Sequence, residues 1–163
     1  MTIRLDGQVA IVTGAGQGLG RCHALALAER GANVVVNDLG DASGVSANAD
    51  SVVAEINAQG GEAISHGANV AEFSQVEDMV KQAMDRWGRV DILINNAGIL
   101  RDKTFHNMTP ELLDPVLDVH LKGAFYVTRP AWVAWTAVPA GTTIRRGPSS
   151  WASGNHHSAG TGR

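Results

Sequence analysis

Cysteine and tyrosine each occur once in the 163 residues, as Cys22 and Tyr126, and no Asp or Glu follows Asp118. A single cysteine excludes an internal disulfide framework and suits a reducing compartment. Cys22 itself is expected as a small buried helix residue rather than a reactive thiol. Aromatic residues make up 5% and the formal net charge is −3, so the chain carries neither the basic footprint nor the stacking surface of a nucleic-acid binder. No run approaches the roughly 20 apolar residues of a membrane span. The start, Met1-Thr2-Ile3-Arg4-Leu5-Asp6, has no apolar stretch or small-residue cleavage site of an export signal. These absences leave a cytoplasmic protein that handles small molecules, with no nucleic-acid or membrane partner and no metal site, as the expectation.

What is present is alternation. To about Thr128, short β-branched apolar runs alternate with segments of helical period, the pattern of a parallel sheet covered by helices. Strands are expected at Val9-Ala10-Ile11-Val12, Asn33-Val34-Val35-Val36, weakly at Ala63-Ile64, and at Ile92-Leu93-Ile94; continuous apolar runs of this kind fit strands buried on both faces. Ala49, Val52, Val53 and Ile56 recur at helical spacing before Gly60-Gly61. Ser74 with Glu77 reads as a capping box ahead of a stripe of Val76, Met79, Val80, Ala83, Met84 and Trp87, closed by Gly88. Thr109-Pro110 predicts a further helix start, with Leu113, Val116, Leu117, Leu121 and Ala124 facing inward.

Beyond about Trp132 the order is lost. Val138-Pro139-Ala140-Gly141-Thr142-Thr143 and Gly147-Pro148-Ser149-Ser150 break any period, and three of the four tryptophans (Trp132, Trp135, Trp151) fall in this stretch. The expected division is a half-domain over residues 1–131 and an atypical, disordered tail over 132–163.

Two motifs carry chemistry. Thr13-Gly14-Ala15-Gly16-Gln17-Gly18-Leu19-Gly20 follows a strand and opens a helix, the context in which such a turn cradles a pyrophosphate. Gly14 allows the tight turn, Gly18 lets backbone approach the cofactor, and Gly20 lets the helix pack closely, aided by the small Ala24, Ala26 and Ala28. Asp38, ending the second strand, is placed to accept hydrogen bonds from adenosine ribose hydroxyls. It favours NAD, because a 2′-phosphate would meet its charge with no arginine at Asn37 or Leu39 to offset it. Asn95-Asn96-Ala97-Gly98 after the fourth strand is, on its own, a turn.

Together the two motifs resemble the short-chain dehydrogenase/reductase family, over roughly Leu5 to Ala131. Val36-Asn37-Asp38-Leu39-Gly40 and the run from Asn96 to Phe105 narrow the resemblance to the (3R)-hydroxyacyl-CoA dehydrogenase branch found in peroxisomal multifunctional enzymes and bacterial relatives. The resemblance implies a Rossmann-like doubly wound parallel sheet and hydride transfer between NAD and a secondary alcohol such as a 3-hydroxyacyl thioester. It also implies that Gly14, Gly16, Gln17, Gly18, Leu19, Gly20, Asp38, Leu39, Asn96, Ala97 and Gly98 line the cofactor, with Asn69-Val70 against the adenine, and that relatives are homo-oligomers. His120 occupies the position of a family asparagine that joins a proton relay; it reads equally as a satisfied core histidine.

The family uses a Tyr-x-x-x-Lys element for proton transfer, and here Pro130 stands four residues after Tyr126. None of Lys81, Lys103 and Lys122 takes the lysine position, and Ser149-Ser150 follows no buried strand, so no catalytic residue is assigned. The expectation is a sheet cut short after about the fourth strand and the following helix, inactive as given, with a frame shift near Trp132 preferred to a divergent tail. The alternatives are a non-catalytic nucleotide-binding module and, argued against by Asn95 to Gly98, a Rossmann-like methyltransferase.

Overall fold

A computed structural model describes residues 3–136. β1 (Val9–Val12), β2 (Asn33–Asn37), β3 (Ala63–His66) and β4 (Ile92–Ile94) form one parallel sheet in the order β3-β2-β1-β4. In register, Ile11 faces Val35 on one side and Leu93 on the other, and Val35 faces Ile64. Side chains alternate between sheet faces, which explains the unbroken apolar runs. Val9, Ile11 and Val35 pack with Val76, Met79, Val80, Ala83, Val127 and Ala131 on one face. Val12, Val34 and Val36 pack with Ala24, Val52 and Ile56 on the other. Each such fully buried Val or Ile contributes about 1.5–3 kcal/mol relative to exposure.

The helices are α1 (Gly18–Glu29), α2 (Ala47–Ala58), α3 (Phe73–Trp87), α4 (Pro110–Leu117) and α5 (Ala124–Thr136). Ser46 caps α2 by accepting the Ala49 N–H at 3.3 Å. Gly88 ends α3 in the left-handed region at φ 72°, its N–H donating to the Met84 carbonyl, a conformation that a side chain would oppose.

Several expectations change. α3 begins at Phe73 with Glu72 as N-cap and no side-chain cap bond, so Ser74 lies inside the first turn and the Ser74–Glu77 box is not formed. β4 is half-buried along its length because among the described residues it is an edge strand. Cys22 is exposed, as is Ala26; both lie on the solvent side of α1, while Ala24 meets the sheet. Leu113, Leu117 and Leu121 are exposed rather than inward, Leu121 by 67%. α5 runs on to Thr136, past the expected loss of order at Trp132. The rest of the tail lies outside the described residues.

The segment carrying that leucine stripe is irregular. Pro115 sits inside α4, where it has no N–H for the helix ladder, and the next residues, Asp118–Gly123, form a π-helical turn before α5. Widened turns of this kind recur at functional sites.

Candidate cofactor site

The glycine turn and the segment after β4 are stitched together at Thr13. Its buried hydroxyl accepts the N–H groups of Asn96 and Ala97, each at 3.1 Å, and donates to the Ile94 carbonyl at 3.3 Å. The Asn96 side-chain amide donates to the carbonyls of Thr13 and Gly14 at 2.9 and 3.0 Å. Asn96 therefore braces the turn from below. Gly14, at φ 61°, leaves no room for a side chain: an added Cβ would lie 2.8 Å from the Ala97 Cα. A Cβ on Gly20 would overlap the Gly14 carbonyl and the Asn96 amide, so the helix approaches the strand end as closely as backbone allows.

Around the turn, Gln17, Gly18 and Leu19 are exposed, and nothing lies within 4 Å of the open face of Gly18. Gln17 is the N-cap of α1 but makes no side-chain cap bond, and the first turn holds no acidic residue. The leading amides of α1 are thus left for an anionic group.

Asp38 closes the other side. A Cβ added to Gly16 would overlap its Oδ2 and lie 2.5 Å from the Asn48 Cβ, so the carboxylate rests directly over the turn. Its Oδ1 accepts the Leu39 N–H at 2.8 Å. Leu39, 67% exposed, and Asn69 share a hollow of about 860 Å³. No residue from Gly14 to Gly20 lines that hollow; it flanks the cradle rather than forming it. Within it, Asp41 accepts from the Ser43 hydroxyl and from the Ser43 and Val45 N–H groups, which hold its carboxyl below the usual range. Asn69 is turned back on its own loop, its side chain accepting from Ala71 N–H. Val70 is core, packed into the sheet face.

Val70 also walls a second, smaller cavity of about 120 Å³ with Thr13, Asn95, Asn96 and His120. The π-helical turn delivers His120 to this cavity. Its ring lies over Gly98, where a Cβ would come within 2.6 Å of Cε1, and its Nε2 is 3.1 Å from the Ile99 N and 3.0 Å from the Ile99 O. His120 is exposed rather than a core histidine.

Two contributors escaped the sequence reading. Asn37 is fully buried, and its side-chain amide donates to the carbonyls of His66 and Ala68, both at 2.9 Å, which ties the ends of β2 and β3 together. A polar residue closing the run Val34-Val35-Val36 was the available signal. Thr128 on α5 accepts from the Asn95 side chain at 3.0 Å; nothing in its surroundings marked it.

Tyr126 stands apart from these groups. Its ring packs edge-on against Phe73, centroids 5.4 Å apart, and against Phe125. Lys81 pairs with Asp85, and Lys122 with Asp118. Among the described residues no helix is long and apolar enough to cross a membrane, and no cluster of three metal-ligating side chains occurs.

The bare turn opening α1 thus has the Asp38 carboxylate at one end and an amide-braced wall at the other. A family model described as short chain dehydrogenase matches residues 8–147, extending beyond residue 131. The peroxisomal multifunctional enzyme type 2 of Mus musculus is 53% identical over 134 residues, 80% of this chain and 18% of that protein. A hydroxyacyl-CoA dehydrogenase of Mycobacterium tuberculosis is 41% identical over 134 residues, 82% of this chain and 42% of that one. The crystal structure of a short chain dehydrogenase from Mycobacterium avium superposes with a TM-score of 0.75 at 47% identity, covering 80% of this chain and 47% of that one. The chain thus spans less than half the length of these relatives. The parallel sheet, the cradle after β1 and a family match over most of the sequence lead to one conclusion: this chain belongs to the short-chain dehydrogenase family.

Proposed function

We propose that this chain binds NAD in the cradle of Gly14, Gly16, Gln17, Gly18, Leu19 and Gly20, as part of a dehydrogenase that acts on a secondary alcohol such as a 3-hydroxyacyl thioester. The observation that carries the cofactor assignment is the Asp38 carboxylate lying over Gly16. There it can accept hydrogen bonds from ribose hydroxyls and repel a 2′-phosphate. Supporting the fit of NAD, the space beside Gly18 is open, the N-cap of α1 makes no side-chain bond and its first turn holds no acid. Leu39, Asn69 and Val70 are assigned to the adenine side, and Asn96, Ala97 and Gly98 to the nicotinamide side. Bound NAD would supply a hydride acceptor; the chain's own residues would hold and orient it, with Asp38 selecting a ribose that carries no 2′-phosphate.

The substrate class is carried over from the relatives' names. The division expected at 1–131 and 132–163 is proposed in a shifted form, with the cofactor-binding half including α5 to Thr136 and the compositionally atypical tail following it. These residues contain no Tyr-x-x-x-Lys element, since Pro130 follows Tyr126 by four, so the 163 residues alone are proposed to bind without turnover. A second reading, a nucleotide-binding module that never catalyses, is favoured by the packing of Tyr126 on Phe73. The proposed compartment is the cytoplasm, a reducing environment that suits an exposed thiol at Cys22, although the Mus musculus relative is peroxisomal by name.

Calorimetric titration with NAD and NADP tests the cofactor assignment: NAD is expected to bind more tightly, and equal affinities would refute it. Incubation with NAD and 3-hydroxyacyl thioesters tests the rest. No NADH is expected, and turnover that copurifies with the chain would overturn the non-catalytic reading.

A further inference from the structure

The ring of His66, at the end of β3, is engaged at both nitrogens. Nδ1 lies 3.1 Å from the Ala68 backbone nitrogen, and Nε2 lies 3.2 Å from Asp78 Oδ2 on α3. A backbone N–H can only donate, so Nδ1 is the bare nitrogen and the proton of the neutral ring is on Nε2, where it donates to Asp78. In this tautomer His66 bridges α3 to the turn that follows β3. The His66 side chain is 10% exposed and that of Asp78 is 60% exposed, so water reaches the pair from the Asp78 side.

A second proton undoes half of the bridge. It can enter only at Nδ1, and there it would point at the Ala68 N–H, donor against donor. Nε2–H keeps Asp78, whose charge attracts the imidazolium. The charged ring therefore stays with α3 and lets go of the turn. Neighbouring amides do not share this dependence: Asn69 N–H donates to Gln75 Oε1 at 2.9 Å and Ala71 N–H to Asn69 Oδ1 at 3.0 Å, and carboxamides do not titrate.

The same turn carries groups of the cofactor site. The His66 carbonyl accepts from the Asp38 N–H at 3.2 Å and from the Asn37 side-chain amide, which also donates to the Ala68 carbonyl. Asn69 and Val70 follow directly. We propose that His66 is a proton-gated positioning residue: neutral, it holds Gly67 and Ala68 so that Asn69 and Asp38 receive the adenosine end of the dinucleotide, and protonated, it releases Ala68 and weakens that grip. By linkage the effect is reciprocal, so dinucleotide binding expels the proton from His66. This role rests on the NAD assignment above; the tautomer and the release of Ala68 do not.

The charged groups facing the ring are all acids. Asp78 comes from α3, Asp50 from α2, where it accepts the Ser65 hydroxyl, and Asp41 from the loop after β2, where Ser43 and Val45 hold it. No Lys or Arg lines the hollow, and His66 is its only group whose ordinary titration falls between about pH 5 and 8.

The test combines calorimetric NAD titration with nuclear magnetic resonance on the whole chain, labelled with 15N at histidine and at backbone amides. At about pH 8 the ring is expected to carry its proton on Nε2, and the Ala68 amide should shift and lose protection from hydrogen exchange in step with the His66 titration. NAD should bind about three- to tenfold more weakly at about pH 5.5, the scale of one backbone hydrogen bond. His66→Asn supplies an oxygen that can accept the N–H two residues on, as in an Asx turn, without titrating. It should keep the high-pH affinity and abolish the fall, although His23, His106 and His120 still titrate. His66→Leu should bind weakly at both values. A proton on Nδ1 at about pH 8, an Ala68 amide blind to the ring titration, or an equal fall in His66→Asn would overturn the gate. NAD binding that is flat across the range sinks the gate and leaves the cofactor assignment standing. No NAD binding at any pH refutes that assignment and overturns the role at the cofactor, while the Ala68 amide still decides the release.

Discussion

Asp38 occupies the space that any side chain at Gly16 would need, its Oδ2 overlapping the position of an added Cβ. The two residues are 22 positions apart in sequence, yet they form one surface: a bare backbone turn with a carboxylate laid across it. That surface can take a ribose through its hydroxyls and has no counter-charge for a phosphate on them.

Asp38→Ala therefore tests selectivity more than stability. Its removal is expected to weaken NAD binding about tenfold, in line with loss of charge-assisted hydrogen bonds, and to leave NADP unchanged or improved. The ratio of the two dissociation constants from calorimetry is the readout.

Thr13→Val should damage the wall of the site from inside. The hydroxyl accepts from two part-buried N–H groups, those of Asn96 and Ala97; Asn96 N–H also has the Ile94 carbonyl at 3.1 Å, so valine leaves the Ala97 N–H unpaired at nearly constant volume. A loss of about 1–3 kcal/mol is expected from that unpaired donor, seen as a lower urea midpoint at unchanged slope. Thr13→Ser should restore most of it.

The loop at the mouth of the larger hollow has an acid limit. Asp41 is depressed first by the Ser43 hydroxyl and then by the Ser43 and Val45 amides. A carboxylate whose folded value lies below its unfolded one stabilises above the unfolded value and loses that contribution as pH falls through the folded one. The amide signals of Ser43 and Val45 should hold through the range in which an ordinary aspartate titrates and move only below it, while Ser43→Ala should bring the change to higher pH.

The leucine stripe of α4 and the π-helical turn gives a solubility prediction. Leu117 and Leu121 are exposed, so Leu117→Gln with Leu121→Gln should change unfolding free energy by no more than about 0.5 kcal/mol while raising the soluble fraction on expression. A loss above that size would show the pair to be packed.

Strand positions were readable because Val34, Val35 and Val36 are buried on alternating faces, and a run apolar on both sides has few other uses. The cradle was readable because the turn must be bare where backbone meets backbone, and glycine is the only residue that leaves it so. The helix after Thr109 was misread for a physical reason: Leu113, Leu117 and Leu121 follow helical spacing, but spacing names a face without saying what covers it. The cap of α3 failed for a similar one, since Ser74 and Glu77 satisfy a local pattern that the chain direction at Glu72 pre-empts by starting the helix earlier. Asn37 was missed because its partners, the carbonyls of His66 and Ala68, are reached only after two strands have paired.

The stitch at Thr13 joins residues 81 to 84 positions apart. Contacts of such separation close late, after the entropy of a long loop has been overcome. The cradle after β1 is local and can bend into shape early, but its brace arrives only when β4 docks. Affinity for a dinucleotide should therefore be among the last properties the folding chain acquires, appearing together with the β1–β4 pairing and lagging behind the β1–β2 pairing.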